Sequence, residues 1–356
     1  DVIAPIIDTV RALQPEDSWK AISPEFYVTF WTAALPDLSI PKDSYEKEVL
    51  RIADEQKVVM KDRSDMTRAG MARKEEIKKT LDETRAALIS EFGKQVGAYR
   101  QKRSRLLKGK SVWFESSAKP DVVSDAILER CLIPRLLLSP SDADFCFKMI
   151  KFLHDNSTPN FRTLSLYGRL FRANRLRSII FACTVREAEN LGRFLRLVLA
   201  EFARWHADAA VYEKEAWGVN KNLPGFAKAL EPDGKPKALF EYDAKQGLGF
   251  KALLLTWHRA LNTALRDCLD GNEWMHIRNA ITILKSVAEV FPAIDFMGNG
   301  FMKQLEVITK REKDVREDLS LTGNAVLVQL KKKSSSWVMV QAFGSNVVRR
   351  PMLHGD

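Results

Sequence analysis

The chain has 356 residues, 46% hydrophobic and 29% charged, a globular balance with apolar side chains enough for a large core. Lysine and arginine total 56 against 46 acids, a net charge of +10 that favours an anionic partner, nucleic acid being the commonest. No run of eighteen uncharged apolar residues occurs, which excludes a transmembrane helix, and a start at Asp1 without a basic-then-apolar leader reads as an excerpt of something longer.

Apolar residues recur at steps of three and four almost throughout, which predicts an all-α chain of roughly ten helices. Residues 1–42 read as the first helices of a helical body. There Ser23-Pro24-Glu25 sets a capping residue before a proline suited to the first helical position. Residues 43–110 read as a charged helical hairpin projecting from that body, opened by the capping-box spacing Asp43-x-x-Glu46. This segment is poor in aromatics, and Ile77, Leu81, Leu88, Phe92, Val96, Tyr99 and Leu106 give it only a thin apolar stripe. Gly93 and Gly97 each weaken the second arm by roughly 1 kcal/mol relative to alanine, which predicts a bend or a soft point.

Residues 111–324 read as the main helical-repeat body, an α-solenoid-like array of antiparallel helices. Ser139-Pro140 and Thr184-x-x-Glu187 are start signals, and 156–159, 222–225, 232–236, 270–271 and Pro292 are stops. The densest stripe lies in 160–215, with Phe161, Leu164, Leu191, Phe194, Phe202 and Trp205 as expected core anchors. Trp205-His206 and Trp257-His258 stand 52 residues apart, a faint sign of repetition. Residues 325–356 differ, because two short β-branched apolar runs flank Lys331-Lys332-Lys333 and three serines. Two readings stay open there: a short helix with a docked tail, or a small β-hairpin at the C-terminus.

No chemistry-bearing constellation emerges. Cys131, Cys146, Cys183 and Cys268 are widely spaced in apolar runs and read as buried thiols of a reducing compartment. Five histidines lie too far from other ligands for a metal site, and His206 and His258 read as half-buried, each with one ring nitrogen bonded to backbone. There is no Walker A loop and no nucleophile elbow, and carboxylate pairs such as Glu187/Glu189 or Glu213/Glu215 stand two apart and point away from one another on a helix, so no enzyme and no cofactor are expected. The basic runs are the stronger signal. Arg100, Lys102, Arg103, Arg105, Lys108 and Lys110 lie in a stretch without acids, as do Lys331, Lys332 and Lys333, and these are candidate contacts to RNA or DNA phosphate or to an acidic partner. Arg169, Arg172, Arg175 and Arg177 lie between apolar runs and read as arginines for a protein or intramolecular partner.

Several stretches together resemble a known family. They are Trp19-x-x-Ile22-Ser23-Pro24-x-x-Tyr27-x-x-Phe30-Trp31, Arg130-Cys131-x-x-Pro134-Arg135 and Thr158-Pro159-Asn160-Phe161-x-Thr163-Leu164. Gly192-Arg193-Phe194-Leu195, Arg204-Trp205-His206-x-Asp208, Tyr212-Glu213-Lys214-Glu215, Asn222-x-Pro224-Gly225-Phe226, Trp257-His258 and His276-Ile277-Arg278-Asn279 follow in order. This pattern, over residues 18–320, resembles the family of the largest subunit of the THO complex, subunit two. The resemblance implies a nuclear α-helical scaffold that holds other THO subunits, recruits a DEAD-box RNA helicase and couples transcription to messenger-RNA packaging and export. It implies no catalytic residue. It also implies that nucleic-acid affinity belongs to a disordered basic tail absent from this sequence, so weak RNA binding or none is expected.

Overall fold

Helix accounts for nearly all regular structure in the computed structural model, which describes residues 3–231, 234–243 and 248–344. In chain order the helices begin with α1 (Ala4–Ala12), α2 (Pro24–Thr32), α3 (Leu35–Leu38), α4 (Lys42–Lys61) and α5 (Arg68–Gly109). Then come α6 (Pro120–Ile127), a π turn over Leu128–Leu132, α7 (Ile133–Leu136), α8 (Pro140–Asp155), α9 (Thr163–Leu170), α10 (Ala173–Ala182), α11 (Val185–Ala207) and α12 (Ala209–Ala216). Strands β1 (Ala227–Leu230) and β2 (Pro236–Leu239) precede α13 (Phe250–Leu269), α14 (Trp274–Val287), α15 (Asp295–Glu312), α16 (Glu317–Lys333) and α17 (Val340–Gly344). Contacts divide the chain into two units, Ala33–Gly109 and the rest.

In the larger unit the local signals act as their chemistry dictates. Ser23 Oγ accepts from the amide of Phe26, and Ser139 Oγ from that of Asp142. Thr184 and Glu187 close a reciprocal capping box at the head of α11. Helix α11 lies at the centre and packs on α8, α12, α13 and α14. It approaches α14 closely because Gly192 has no side chain, since a Cβ there would stand 2.7 Å from Ser286 Cβ. Two aromatic clusters fill the core. Phe26 and Phe30 of α2 meet Trp113, Phe114 and Phe145, while Tyr167, Phe171, Phe202 and Trp257 interlock around α11. Each such ring contributes about 2–3 kcal/mol by leaving water. Of the six expected anchors five are buried. Leu164 is only half-buried, because α9 starts at Thr163 and its phase turns Leu166 inward instead.

The place of the small β-hairpin needs correction. Among the described residues it is not at the C-terminus. It is β1–β2, antiparallel and irregular in register, with Gly234 at φ 82° in the turn. The run from Ala325 onward continues α16 instead, because Leu319, Gly323, Val326, Leu327 and Leu330 form a helical stripe facing inward, and that packing overrides β-branched propensity. What strand character remains is one bridge, with Val338 donating to Ala293 O and accepting from Asp295 N. Residues 345–356 of the tail lie outside the described residues.

In the smaller unit α4 and α5 run antiparallel. Tyr45 meets Phe92 and donates to Glu91, Gln56 donates to Asp82, and Asp62 pairs with Lys74. The start signal at Asp43 fails, since α4 begins at Lys42 behind Pro41, and Asp43 favours the helix dipole from within the first turn. α5 continues as one α-helix through Gly93 and Gly97, with open space where their side chains would be. Its seam is thin, for Leu81, Leu88, Phe92, Val96 and Tyr99 are only half-buried and Ile77 is exposed.

Candidate interaction surfaces

The four arginines read as partner contacts are largely used within the molecule. Arg169 grips the Asp125 carboxylate with two nitrogens, Nε at 2.8 Å, and Arg175 shares that carboxylate at 2.9 Å while reaching Glu129 at 3.4 Å. Arg177 pairs with Asp267 at 3.1 Å. Hydrogen bonding and attraction from Asp125 hold the Arg169 guanidinium above its ordinary pKa. Only Arg172, ahead of α10, is exposed without an ion pair among the described residues. The acids come from α6, the π turn and α13, so a chain-local count of charge could not see them.

The lysine tract divides three ways. Lys331 pairs with Glu306 of α15 at 3.4 Å, and Lys332 is exposed. Lys333 is half-buried with its Nζ lacking a hydrogen-bond partner, and burial lowers its pKa to about 8. Burial makes Lys333 a poor phosphate contact. On the other run, Lys110 donates to the carbonyl of Asn156. Arg103 is half-buried and donates to Tyr99 Oη at 3.4 Å. Arg100, Lys102, Arg105 and Lys108 are exposed, and none of them forms an ion pair among the described residues.

Residues that carried the family resemblance turn out to tie helices together. Arg135 is buried with its guanidinium 3.6 Å from the Phe145 ring centre and its Nε 2.9 Å from Asp142. Asn279 donates to the carbonyls of Ile180 and Cys183, so α14 satisfies the open end of α10. Trp205 donates through Nε1 to Glu215 at 2.7 Å, and Arg204 grips the same carboxylate, whose pKa falls to about 2, chiefly from the Arg204 bond. Buried His154 donates through Nε2 to the Glu215 carbonyl and accepts from Thr163, with Gly225 pressed against its ring.

The two tryptophan-histidine pairs converge. Trp205 and Trp257 both contact Phe202, and Phe343 of α17 contacts both His206 and His258. His206 donates to the Phe343 carbonyl, as expected for a backbone-bonded ring. His258 departs from that expectation. It is fully buried with Nδ1 unpartnered, and burial lowers its pKa to about 3.

All four cysteines are buried and unpaired, and burial pushes the Cys183 and Cys268 thiols up to about 12, far from a reactive thiolate. Among the described residues no group of three His, Cys, Asp or Glu could hold a metal ion, and no helix is long and apolar enough to cross a membrane. A groove of about 1130 Å³ along α15 and α16 is lined by Glu306, Lys310, Lys313, Leu321 and Leu327, with no nucleophile–base pair.

Comparison with known proteins gives one consistent result. A family model described as transcription factor/nuclear export subunit protein 2 matches residues 19–330. The THO complex subunit 2 proteins of Rhinolophus ferrumequinum and Homo sapiens are each 32% identical over 345 residues, covering 96% of this chain and 21% of theirs. The Arabidopsis thaliana protein of that name is 29% identical over 354 residues, covering 98% of this chain and 18% of its own length. The chain thus spans about a fifth of the relatives it matches.

Proposed function

The chain belongs to the THO complex subunit 2 family, and we propose that it is a non-enzymatic scaffold segment of that nuclear complex. In this reading the solenoid-like body presents its surface to other THO subunits and helps recruit a DEAD-box RNA helicase, serving messenger-RNA packaging and export. The charged hairpin 43–110 offers a surface of its own.

One observation carries the reading. The residues that carry the resemblance, Arg135, Trp205, Glu215 and Asn279 among them, are spent on holding helices in place. Such ties fix a shape, and a long helical array offers a shape for several partners at once. The test is a pull-down of the tagged chain with purified THO subunits and the helicase. Retention of at least one subunit supports the reading, and failure to retain any of them sinks it.

A second reading has its own support. Lys102, Arg105 and Lys108 stand exposed near the end of α5 and form no ion pair among the described residues, and RNA or DNA phosphate would suit them. Its signature is affinity that falls steeply with log salt, whereas an apolar subunit contact weakens little.

A further inference from the structure

Helices α13 and α15 run parallel and leave a groove between them. Their rungs fix the register: Arg266 Nε donates to Gln304 Oε1 at 3.2 Å, and Arg311 Nη1 donates to Asn272 Oδ1 at 3.5 Å just past the end of α13. The groove holds about 310 Å³, with Leu269 and Ile308 buried at its floor and Val307, 63% exposed, on its rim. Its walls carry three cations, Arg266, Lys303 and Arg311, against one acid, Asp270.

The acids at hand do not neutralise these cations. Lys303 is exposed and Arg266 half-buried, and neither forms an ion pair among the described residues. Gly300 leaves room for the Arg266 guanidinium to lie against α15, since a Cβ there would stand 3.3 Å from Nη1. Arg311 pairs with Glu312 at 2.7 Å, but Arg316 grips the same buried carboxylate at 2.6 Å, so two guanidiniums share one negative charge. Asp270 already accepts from Gln304. The neighbouring groove of α15 and α16 differs, because Lys310, Lys313 and Lys331 there are matched by Glu306, Asp314 and Glu317.

We propose that the α13–α15 groove binds an extended acidic segment of a partner protein, with two carboxylates four residues apart and an apolar side chain midway between them. This rests on the scaffold reading and names the chemistry of one partner. Spacing sets the pattern. Lys303, Val307 and Arg311 follow at four-residue steps along one wall, about 6 Å from each to the next. An extended chain advances about 3.3 Å per residue with alternate side chains on one face, so its positions i, i+2 and i+4 fall level with these three. The first carboxylate meets Lys303 and the Arg266 fork, which the bond to Gln304 holds level with it, and the last meets Arg311. The middle side chain covers Val307. RNA phosphate would suit the cations but leave Val307 uncovered between them.

The experiment replaces Val307 by the photo-crosslinking residue p-benzoylphenylalanine in the full-length protein within the assembled complex. The expected product joins position 307 to a segment of another protein in which acids flank an apolar residue two positions away on either side. Adding Lys303→Glu should cut the yield of that product about tenfold with an unchanged melting temperature, whereas Lys303→Arg keeps the yield. Lysine in place of the partner's facing acid should restore it in Lys303→Glu. Crosslinks only to RNA, only within the same chain, only to a second copy, to a segment without acids, or to no macromolecule overturn the proposal, as does a yield that Lys303→Glu leaves intact. Co-purification of the remaining subunits with the substituted protein keeps the scaffold reading intact when the groove inference fails.

Discussion

His206 binds Phe343 twice over. Its Nε2 donates to the Phe343 carbonyl at 2.7 Å, and the two rings stack with centroids 4.3 Å apart and planes 18° from parallel. His258 meets the same phenyl ring at 4.9 Å. Helix α17 has only five residues, too short to hold itself, so this contact fastens it to the body. Phe343→Ala is expected to cost about 3–5 kcal/mol, the range for deleting a buried large aromatic. Limited proteolysis should cut near residues 337–344 well before the body melts. Equal protease resistance in variant and parent would show that α17 is held elsewhere.

The same junction makes the fold sensitive to acid. His258 has its pKa lowered from 6.5 to about 3, first by burial and then by repulsion from His206 and Lys333. Burial also lowers His206 and His154. A base depressed in the native state takes up protons first when unfolded, so its stability term is full above pH 6.5 and declines as pH falls toward 3. For His258 the loss is about 3–5 kcal/mol. Thermal melts between pH 7 and pH 4 should show a steep decline, flatter in His258→Phe. An equally steep decline in that variant would place the acid sensitivity in other groups.

Trp205→Ala is expected to cost about 3–5 kcal/mol, from the cavity it leaves among Phe202, Tyr212, Phe226 and Phe250 and from the lost bond to Glu215. Trp205→Phe keeps most of the packing and loses the indole N–H, so its cost should be clearly smaller. Chemical denaturation of both variants separates the two contributions. If they prove equal, the Glu215 bond outweighs the packing.

What was legible in the sequence was local. Ser23, Ser139 and Thr184 announce helix starts because a cap needs only its next three residues, and the stripe on α11 declares its buried face. What depends on distant partners was not. Arg169 sits in an acid-free stretch, yet Asp125 lies 44 residues away on α6. Pro-Asp-Gly at 232–234 reads equally well as a helix stop or a hairpin turn, and only the pairing of Ala227 with Leu239 decides between them. The apolar run at 325–330 looked strand-like until α15 supplied the face it packs against.

Arg169→Ala should therefore act on the fold. It removes the two-pronged grip on Asp125, with Arg175 left to hold that carboxylate, and the expected loss is about 1–3 kcal/mol. Arg172→Ala, exposed and without an ion pair among the described residues, should stay within about 0.5 kcal/mol. Urea titrations of the two would read the difference. If Arg172→Ala proves as costly as Arg169→Ala, the assignment of internal and external arginines falls.

The end of α5 allows a phosphate test. Lys102, Arg105 and Lys108 are exposed, and no ion pair of the described residues uses them. Like charges on a helix repel, so changing all three to glutamate should leave the melting temperature nearly unchanged. If these residues meet RNA, each phosphate contact contributes about 0.7 to the slope of log affinity against log salt. Three lost contacts then lower that slope by roughly 2. Fluorescence anisotropy of a labelled single-stranded oligonucleotide across a salt series measures it. A slope that the triple change leaves intact would move RNA contact off this end of the helix.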